Sequence, residues 1–202
     1  ANHGQWDAQV RFAARGRGYR AHLMRDEVAV ALPRKGEVRL KLLGAGPAIR
    51  LSPEQELPGK NNYFLGSDSS KWHAQIPSYA RVKYRQVYPG IDLVCYGRER
   101  ELEFDFVVAP GADPRTIRMR VTGPARLSLD GHGDVLAGEL RLRRPVVYQE
   151  VAGRRKEVAG RYALRGKNQI AFEIGAYDPR RPLVIDPLLS YSTYVGGAGY
   201  DY

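Results

Sequence analysis

Leu102, Phe104 and Phe106 alternate with Glu101, Glu103 and Asp105, and this period of two constrains the chain more than any other feature. Successive strand residues point to opposite faces. An apolar–acidic alternation kept up over Glu101–Val108 therefore demands a half-buried strand. The same period recurs elsewhere. Val82 and Tyr84 alternate with Arg81, Lys83 and Arg85; Ile117, Met119 and Val121 with Arg118 and Arg120; Val38, Leu40 and Leu42 with Arg39 and Lys41. Shorter strands are expected at 10–14, 19–24, 28–32, 91–97, 125–129, 135–136, 140–142, 146–151, 157–164, 169–174, 183–186 and 189–195. No segment carries an apolar helical face of four turns, and the 22 Gly and 13 Pro fall at short intervals, as turn punctuation does. The expected class is all-β: an antiparallel β-sandwich-like module with many short strands and little helix. Residues 1–188 make up that module, whole or as two packed subdomains divided near 110–124. Residues 189–202 read as a separate tail.

Two stretches read as loop. Residues 44–60 hold Pro47, Pro53 and Pro58, with room for a short strand at 49–51. Residues 61–78 set Tyr63, Phe64, Leu65 and Trp72 among turn formers, and Ser67-Asp68-Ser69-Ser70 suits the cap of one helical turn through 71–74. This loop is expected to lie over the core with Trp72 as a plug. Tyr88-Pro89-Gly90 has Pro and Gly where a type II turn wants them, and 130–134 reads as a Gly-rich hairpin turn.

Charge narrows the partners. Lys and Arg number 32 against 22 Asp and Glu, a net +10 with a pI near 9.8, which favours acidic partners. Lys71, Arg81, Lys83, Arg85, Arg118 and Arg120 are the candidate contacts for a polyanion. Nucleic-acid binding calls for a recognised motif beside the charge; none is present, so anionic polysaccharide ranks ahead of it. The competing reading is structural: the same cations stand opposite Glu101, Glu103 and Asp105 and pair with them across a ladder, at roughly 0.2–1 kcal/mol per pair. The 13 Tyr and two Trp are stacking platforms on one reading and packing residues on the other.

Little points to chemistry. Glu101, Glu103 and Asp105 on one strand face have the spacing of a glycosidase carboxyl pair, but so has any acidic strand, and nothing in their neighbourhood suggests a raised pKa. His3, His22, His73 and His132 are scattered. Asp130-Gly131-His132-Gly133-Asp134 has a faint look of a calcium loop without its remaining ligands. Cys95, the one cysteine, is expected to be buried with Leu93 and inert; it excludes an internal disulfide. No catalytic, metal or cofactor residue is assigned. No apolar run reaches the roughly 18 residues that would span a bilayer. The chain begins at Ala1 with no signal-peptide pattern, as a processed chain or a piece of a longer one would.

A set of phrases carries a resemblance: Asn61-Asn62-Tyr63-Phe64-Leu65-Gly66, then Trp72, Val87-Tyr88-Pro89-Gly90-Ile91-Asp92-Leu93, and Leu102-Glu103-Phe104-Asp105-Phe106 through Val107-Val108-Ala109-Pro110-Gly111-Ala112-Asp113-Pro114. Later come Arg144-Pro145-Val146-Val147-Tyr148-Gln149, Gly175-Ala176-Tyr177-Asp178 and Pro182-Leu183-Val184-Ile185-Asp186-Pro187. In this order they resemble the uncharacterised domain that precedes SBBP (beta-propeller) repeats in large exported bacterial proteins. Leu189-Ser190-Tyr191-Ser192-Thr193-Tyr194-Val195-Gly196-Gly197 resembles the opening of the first repeat, although a blade needs about 40 residues. The resemblance implies an all-β module at the cell surface or outside the cell, and no site.

The tail carries one more hypothesis. Tyr191, Thr193, Tyr194 and Val195 form a strand able to add to the sheet of a neighbouring copy, giving head-to-tail assembly; pairing inside its own domain is the plain alternative. The leading expectation is a non-catalytic structural or interaction module of an exported bacterial protein, in surface attachment or extracellular assembly. Its partners would be copies of itself or a following propeller. A binding module for anionic polysaccharide is the alternative, and a carboxylate-based glycan hydrolase the least favoured.

Overall fold

The computed structural model describes residues 1–16, 18–32, 36–64, 66–98, 101–123 and 126–191. Within them the chain is all-β. In order it forms β1 (Phe12–Gly16), β2 (Tyr19–Leu23), β3 (Glu27–Leu32), β4 (Gly36–Leu42), β5 (Arg50–Tyr63), β6 (His73–Tyr88), β7 (Ile91–Arg98), β8 (Glu101–Val108) and β9 (Arg118–Thr122). Then come β10 (Leu127–Leu129), β11 (Val135–Ala137), β12 (Leu140–Leu142), β13 (Val146–Val151), β14 (Arg154–Val158), β15 (Gly160–Arg165), β16 (Gln169–Ile174), β17 (Leu183–Asp186) and β18 (Leu188–Tyr191). The helical pieces are single 3-10 turns at Ser69–Lys71 and Pro114–Thr116, each capped by an aspartate, Asp68 and Asp113.

The strands form two antiparallel sheets packed as a sandwich. The smaller has seven strands in the order β1-β2-β3-β4-β9-β16-β15. The larger has eleven and is organised around β8. On one side β8 takes β7, which leads on to β6 and β5; on the other it takes both β17 and β18. Those two are consecutive pieces of one strand, broken at Pro187, which has no N–H to give to a ladder. The sheet forks there: β13 pairs with β17 and β12 with β18.

Alternation sorts the core. Leu102, Phe104, Phe106 and Val108 of β8 point inward, as do Met119 and Val121 of β9 and Ile170 and Phe172 of β16, and one buried cluster spans both sheets. Phe106 lies edge-on to Phe104 at 6.1 Å and to Phe172 of the opposite sheet at 5.8 Å. Tyrosine hydroxyls tie the sheets across the core, Tyr162 by donating to the Arg143 carbonyl at 2.9 Å and Tyr88 by bonding Arg118. The Tyr88 hydroxyl donates to the Arg118 carbonyl at 2.9 Å and accepts from the Arg118 N–H at 3.3 Å. The turn after Tyr88 needs its glycine: Gly90 has φ +70, and a Cβ there would sit 2.8 Å from the Ala112 side chain.

The two expected loops are corrected. Residues 50–63 and 73–78 lie not in loops but in β5 and β6, the longest strands of the chain, paired with each other from Arg50↔Arg85 to Tyr63↔His73; the strand expected at 81–87 is the inner part of β6. Their prolines misled the reading. β5 is an edge strand, where a missing N–H costs no ladder bond, so Pro53 and Pro58 are tolerated. Because β7 reaches only to Arg81 of β6, the outer parts of β5 and β6 continue alone as a two-stranded arm. Trp72 is no plug. It sits at the tip of that arm, 44% exposed, against Phe64 at 5.2 Å, and its indole N–H donates to the Gly66 carbonyl at 3.1 Å. The N-terminal segment steadies the arm further in, through Trp6 on Tyr63 at 5.1 Å and Phe12 on Tyr79 at 6.3 Å.

Candidate functional site

The acidic stripe of β8 does not stand opposite the cations expected to face it. Arg118 and Arg120 lie in the other sheet, where Arg120 stands between Lys41 and Gln169. Arg81 and Lys83 lie two strands from β8, opposite Tyr96 and Val94 of β7. The expected charge ladder is absent because strand order, which alternation does not encode, puts β7 and β17 next to β8. Glu101 belongs to β8 by its backbone, and its side chain is outside the described residues.

What stands opposite the stripe is another carboxylate. Ile185 pairs with Phe106 and Leu188 with Glu103, a register that sets Asp186 directly across from Asp105. The Tyr96 hydroxyl donates to Asp105 Oδ2 at 3.1 Å, while Asp105 Oδ1 is buried with no hydrogen-bond partner. Glu103 is buried beside them. Burial, then the facing Asp186 carboxyl, pushes the Asp105 pKa up to about 7. Two carboxylates held face to face cannot both ionise cheaply, and a shared proton relieves them. The neighbouring phenols respond in the same direction: burial first, then Asp105, raises the Tyr96 pKa, and burial raises that of Tyr148. Arg81 and Arg155 flank this centre and stack on tyrosines instead of pairing with its acids, Arg81 5.7 Å from the Tyr96 ring and Arg155 4.2 Å from the Tyr148 ring.

The centre thus has the raised pKa that the sequence gave no sign of. It lies on a sheet face. Four recesses of the described surface, beside Tyr177, between Leu43 and Pro89, between His132 and Arg144, and between Arg50 and Arg85, have linings that do not include Glu103, Asp105 or Asp186.

The six candidate polyanion contacts separate into three places. Lys71 is at the arm tip, 3.5 Å from Asp68. Arg81, Lys83 and Arg85 share the outer face of β6. Lys83 meets Asp92 at 3.0 Å and Arg85 meets Glu54 at 4.0 Å. Arg118 and Arg120 are together on β9, exposed on the opposite side of the sandwich. The calcium-like aspartates hold an arginine: Asp130 and Asp134 close on Arg141 at 3.0 and 2.9 Å. Cys95 is buried, and burial pushes its thiol up to about 12, so it stays protonated and unreactive.

In the tail, Tyr191 pairs with Leu140 inside the large sheet, and Leu189 has partners on both sides, Leu142 and Leu102. Thr193, Tyr194 and Val195 lie outside the described residues. Gln149, which the sequence did not mark, is a buried clamp. Its amide N–H donates to the Asp178 carbonyl at 2.9 Å, and its Oε1 accepts from the Asp178 N–H at 2.9 Å. With Val146 opposite Asp186, three of the familiar phrases, at 144–149, 175–178 and 182–187, meet in space as one packed unit.

A family model described as a domain of unknown function (DUF7948) matches residues 1–188. No curated protein and no solved structure matches the chain.

Proposed function

The chain belongs to the family described as a domain of unknown function (DUF7948), and we propose that this member is a non-catalytic interaction module of an exported bacterial protein. It works outside the cell, in surface attachment or assembly, next to SBBP repeats; the resemblance of its phrases supports that setting. One observation carries the interaction reading. The arm of β5 and β6 exposes Leu57, Phe64 and Trp72 at 43, 58 and 44%. Phe64 and Trp72 lie against each other at the tip of the arm, with Leu57 exposed further along it; large apolar side chains left in water are costly and are what protein contacts bury. The arm does not invite strand addition along its edge. Pro53, Pro58 and the left-handed Gln55, φ 57, interrupt the donors of β5. Contact is made by side chains at the tip.

A photo-crosslinking residue at Phe64, in protein made by its native source, tests this. One reproducible adduct with a defined extracellular protein or a second copy is expected, absent for the same probe at Lys167 and lost with Trp72→Ser. No adduct at Phe64, or equal adducts at both positions, would overturn the reading.

A further inference from the structure

The outer face of the seven-stranded sheet is built from cations and alanines. The register lines up Glu27, Lys41, Arg120, Gln169 and Arg165 in one row across five strands. In the next row Arg118 stands beside Ala171, which faces Ala163. Neighbouring strands lie ~4.8 Å apart, so Lys41 to Arg165 covers ~14 Å. The carboxylates of this face are already engaged. Arg39 holds Glu27 and Glu37, both at 2.7 Å; Glu173 lies between Arg161 at 2.6 Å and Arg165 at 3.5 Å. Arg118 and Arg120 have no carboxylate partner among the described residues. Arginine stays charged at any ordinary pH, so the middle of this face keeps a positive charge that the fold does not use.

Where β9 leaves β16, the face opens into a recess of about 900 Å³ whose lining includes Arg115, Arg118, Arg165 and Tyr177 together with two carboxylates, Asp113 held by Arg115 at 2.9 Å and Glu173 held by Arg161 and Arg165. That is the size range of a small-ligand site. Three guanidinium groups line it, a planar donor geometry that matches carboxylates two bonds at a time; Arg118 is the one with no carboxylate partner among the described residues, and Tyr177 supplies a ring against which a sugar can lie.

We propose that this face binds a linear acidic polysaccharide, with one carboxylated sugar seated in the recess between Arg118 and Arg165 and the polymer continuing along the row past Arg120 to Lys41. Other polyanions fit less well. Single-stranded nucleic acid wants successive stacking rings, and the row carries none. Reading a duplex groove takes a helix or ribbon that enters it, and this face is a flat sheet. An anionic bilayer is gripped best with apolar anchors, but the exposed large apolar side chains, Leu57, Phe64, Trp72, Leu129 and Val146, all lie outside these seven strands, and a planar membrane cannot fill a recess. The face is separate from the arm, so the two readings stand or fall independently.

The test is binding of the purified chain to polygalacturonate, with dextran as the uncharged polymer, duplex DNA, and phosphatidylserine–phosphatidylcholine vesicles, at low and high salt. Polygalacturonate is expected to bind, dextran not, and added salt to weaken the complex. Arg118→Glu with Arg120→Glu should weaken it roughly ten-fold or more, and the neutral Arg120→Gln by less, as loss of single charge contacts does. Both side chains are exposed, and an unchanged melting temperature will show that the fold is intact. Arg154→Glu with Lys156→Glu on β14 makes the same change in net charge and should leave binding near the wild-type value. DNA or vesicles bound as tightly as polygalacturonate, with the same response to the β9 variants, would overturn the polysaccharide assignment. An equal loss in the β14 variant would remove the face itself.

Discussion

The two outer faces of this sandwich solve opposite electrostatic problems. On the small sheet, Arg118 and Arg120 have no carboxylate partner among the described residues. On the large sheet, Asp105 faces Asp186 with Glu103 alongside, while Arg81 and Arg155 lie on the Tyr96 and Tyr148 rings. A chain of net +10 had cations enough to neutralise that acidic centre, yet strand order keeps them apart. Unpaired fixed charge on one face leaves something to be bound; like charges pressed together on the other are settled internally by a proton. The first is what the proposed polysaccharide contact draws on; the second is closed within the fold.

The comparison assumes one cooperative body with two faces, and its sharpest challenge goes through the shared core. Phe106 is fully buried and touches Phe172 of the opposite sheet. Phe106→Ala should cost ~3–5 kcal/mol and lower the melting temperature in a single transition seen equally by near- and far-UV circular dichroism. Two separated transitions would mean that the sheets melt as independent units, and the contrast would then be between domains.

A smaller effect is expected where one face is tied through the core to the other. Tyr88→Phe removes the hydroxyl that binds both the carbonyl and the N–H of Arg118. The Arg118 carbonyl keeps the Leu43 N–H at 2.8 Å, but its N–H loses the hydroxyl, which should cost ~1 kcal/mol, seen as a lower midpoint in a urea titration with an unchanged slope. A midpoint equal to wild type would show that Arg118 is held by the sheet alone.

Much of this was legible from alternation, and the rest was not for identifiable reasons. Val82, Tyr84, Leu102, Phe104, Phe106, Met119 and Val121 were assigned to the inside from their period, and all are buried, because burying one face of a strand fixes which of its residues point inward. Alternation says nothing about which strand lies next door. Arg118 was therefore read as outward, as it is, and given the wrong partners. Asp186 escaped notice because it meets Asp105 only once β17 is laid on β8. The arm was lost to its own punctuation: prolines and glycines that would end an internal strand are admissible in an edge strand with a partner on one side only. At the candidate sites the cations were found one by one, whereas the grouping that makes a face of them belongs to the register of β4, β9, β16 and β15.

The smallest expected effect separates the faces most cleanly, because it concerns pH. Asp105 holds its proton up to about pH 7 in the fold against an ordinary value of 3.8. The folded state therefore binds this proton more tightly than the unfolded chain. Stability linked to it is greatest below about pH 4 and falls as pH rises towards 7. Asp105 is only partly buried, and screening reduces the effect, to about 1 kcal/mol or ~3 °C in melting temperature. Asp105→Asn keeps the shape, has no proton to lose and offers Asp186 an N–H donor. Its melting temperature should exceed that of wild type at pH 8 and converge with it near pH 4. A gap constant over that range would sink the shared proton. The arginines of the small sheet do not titrate in this window, so polygalacturonate binding by the Asp105→Asn protein should match that of wild type at every pH. If binding instead follows the melting curve, the two faces are coupled through the core and the division drawn between them fails.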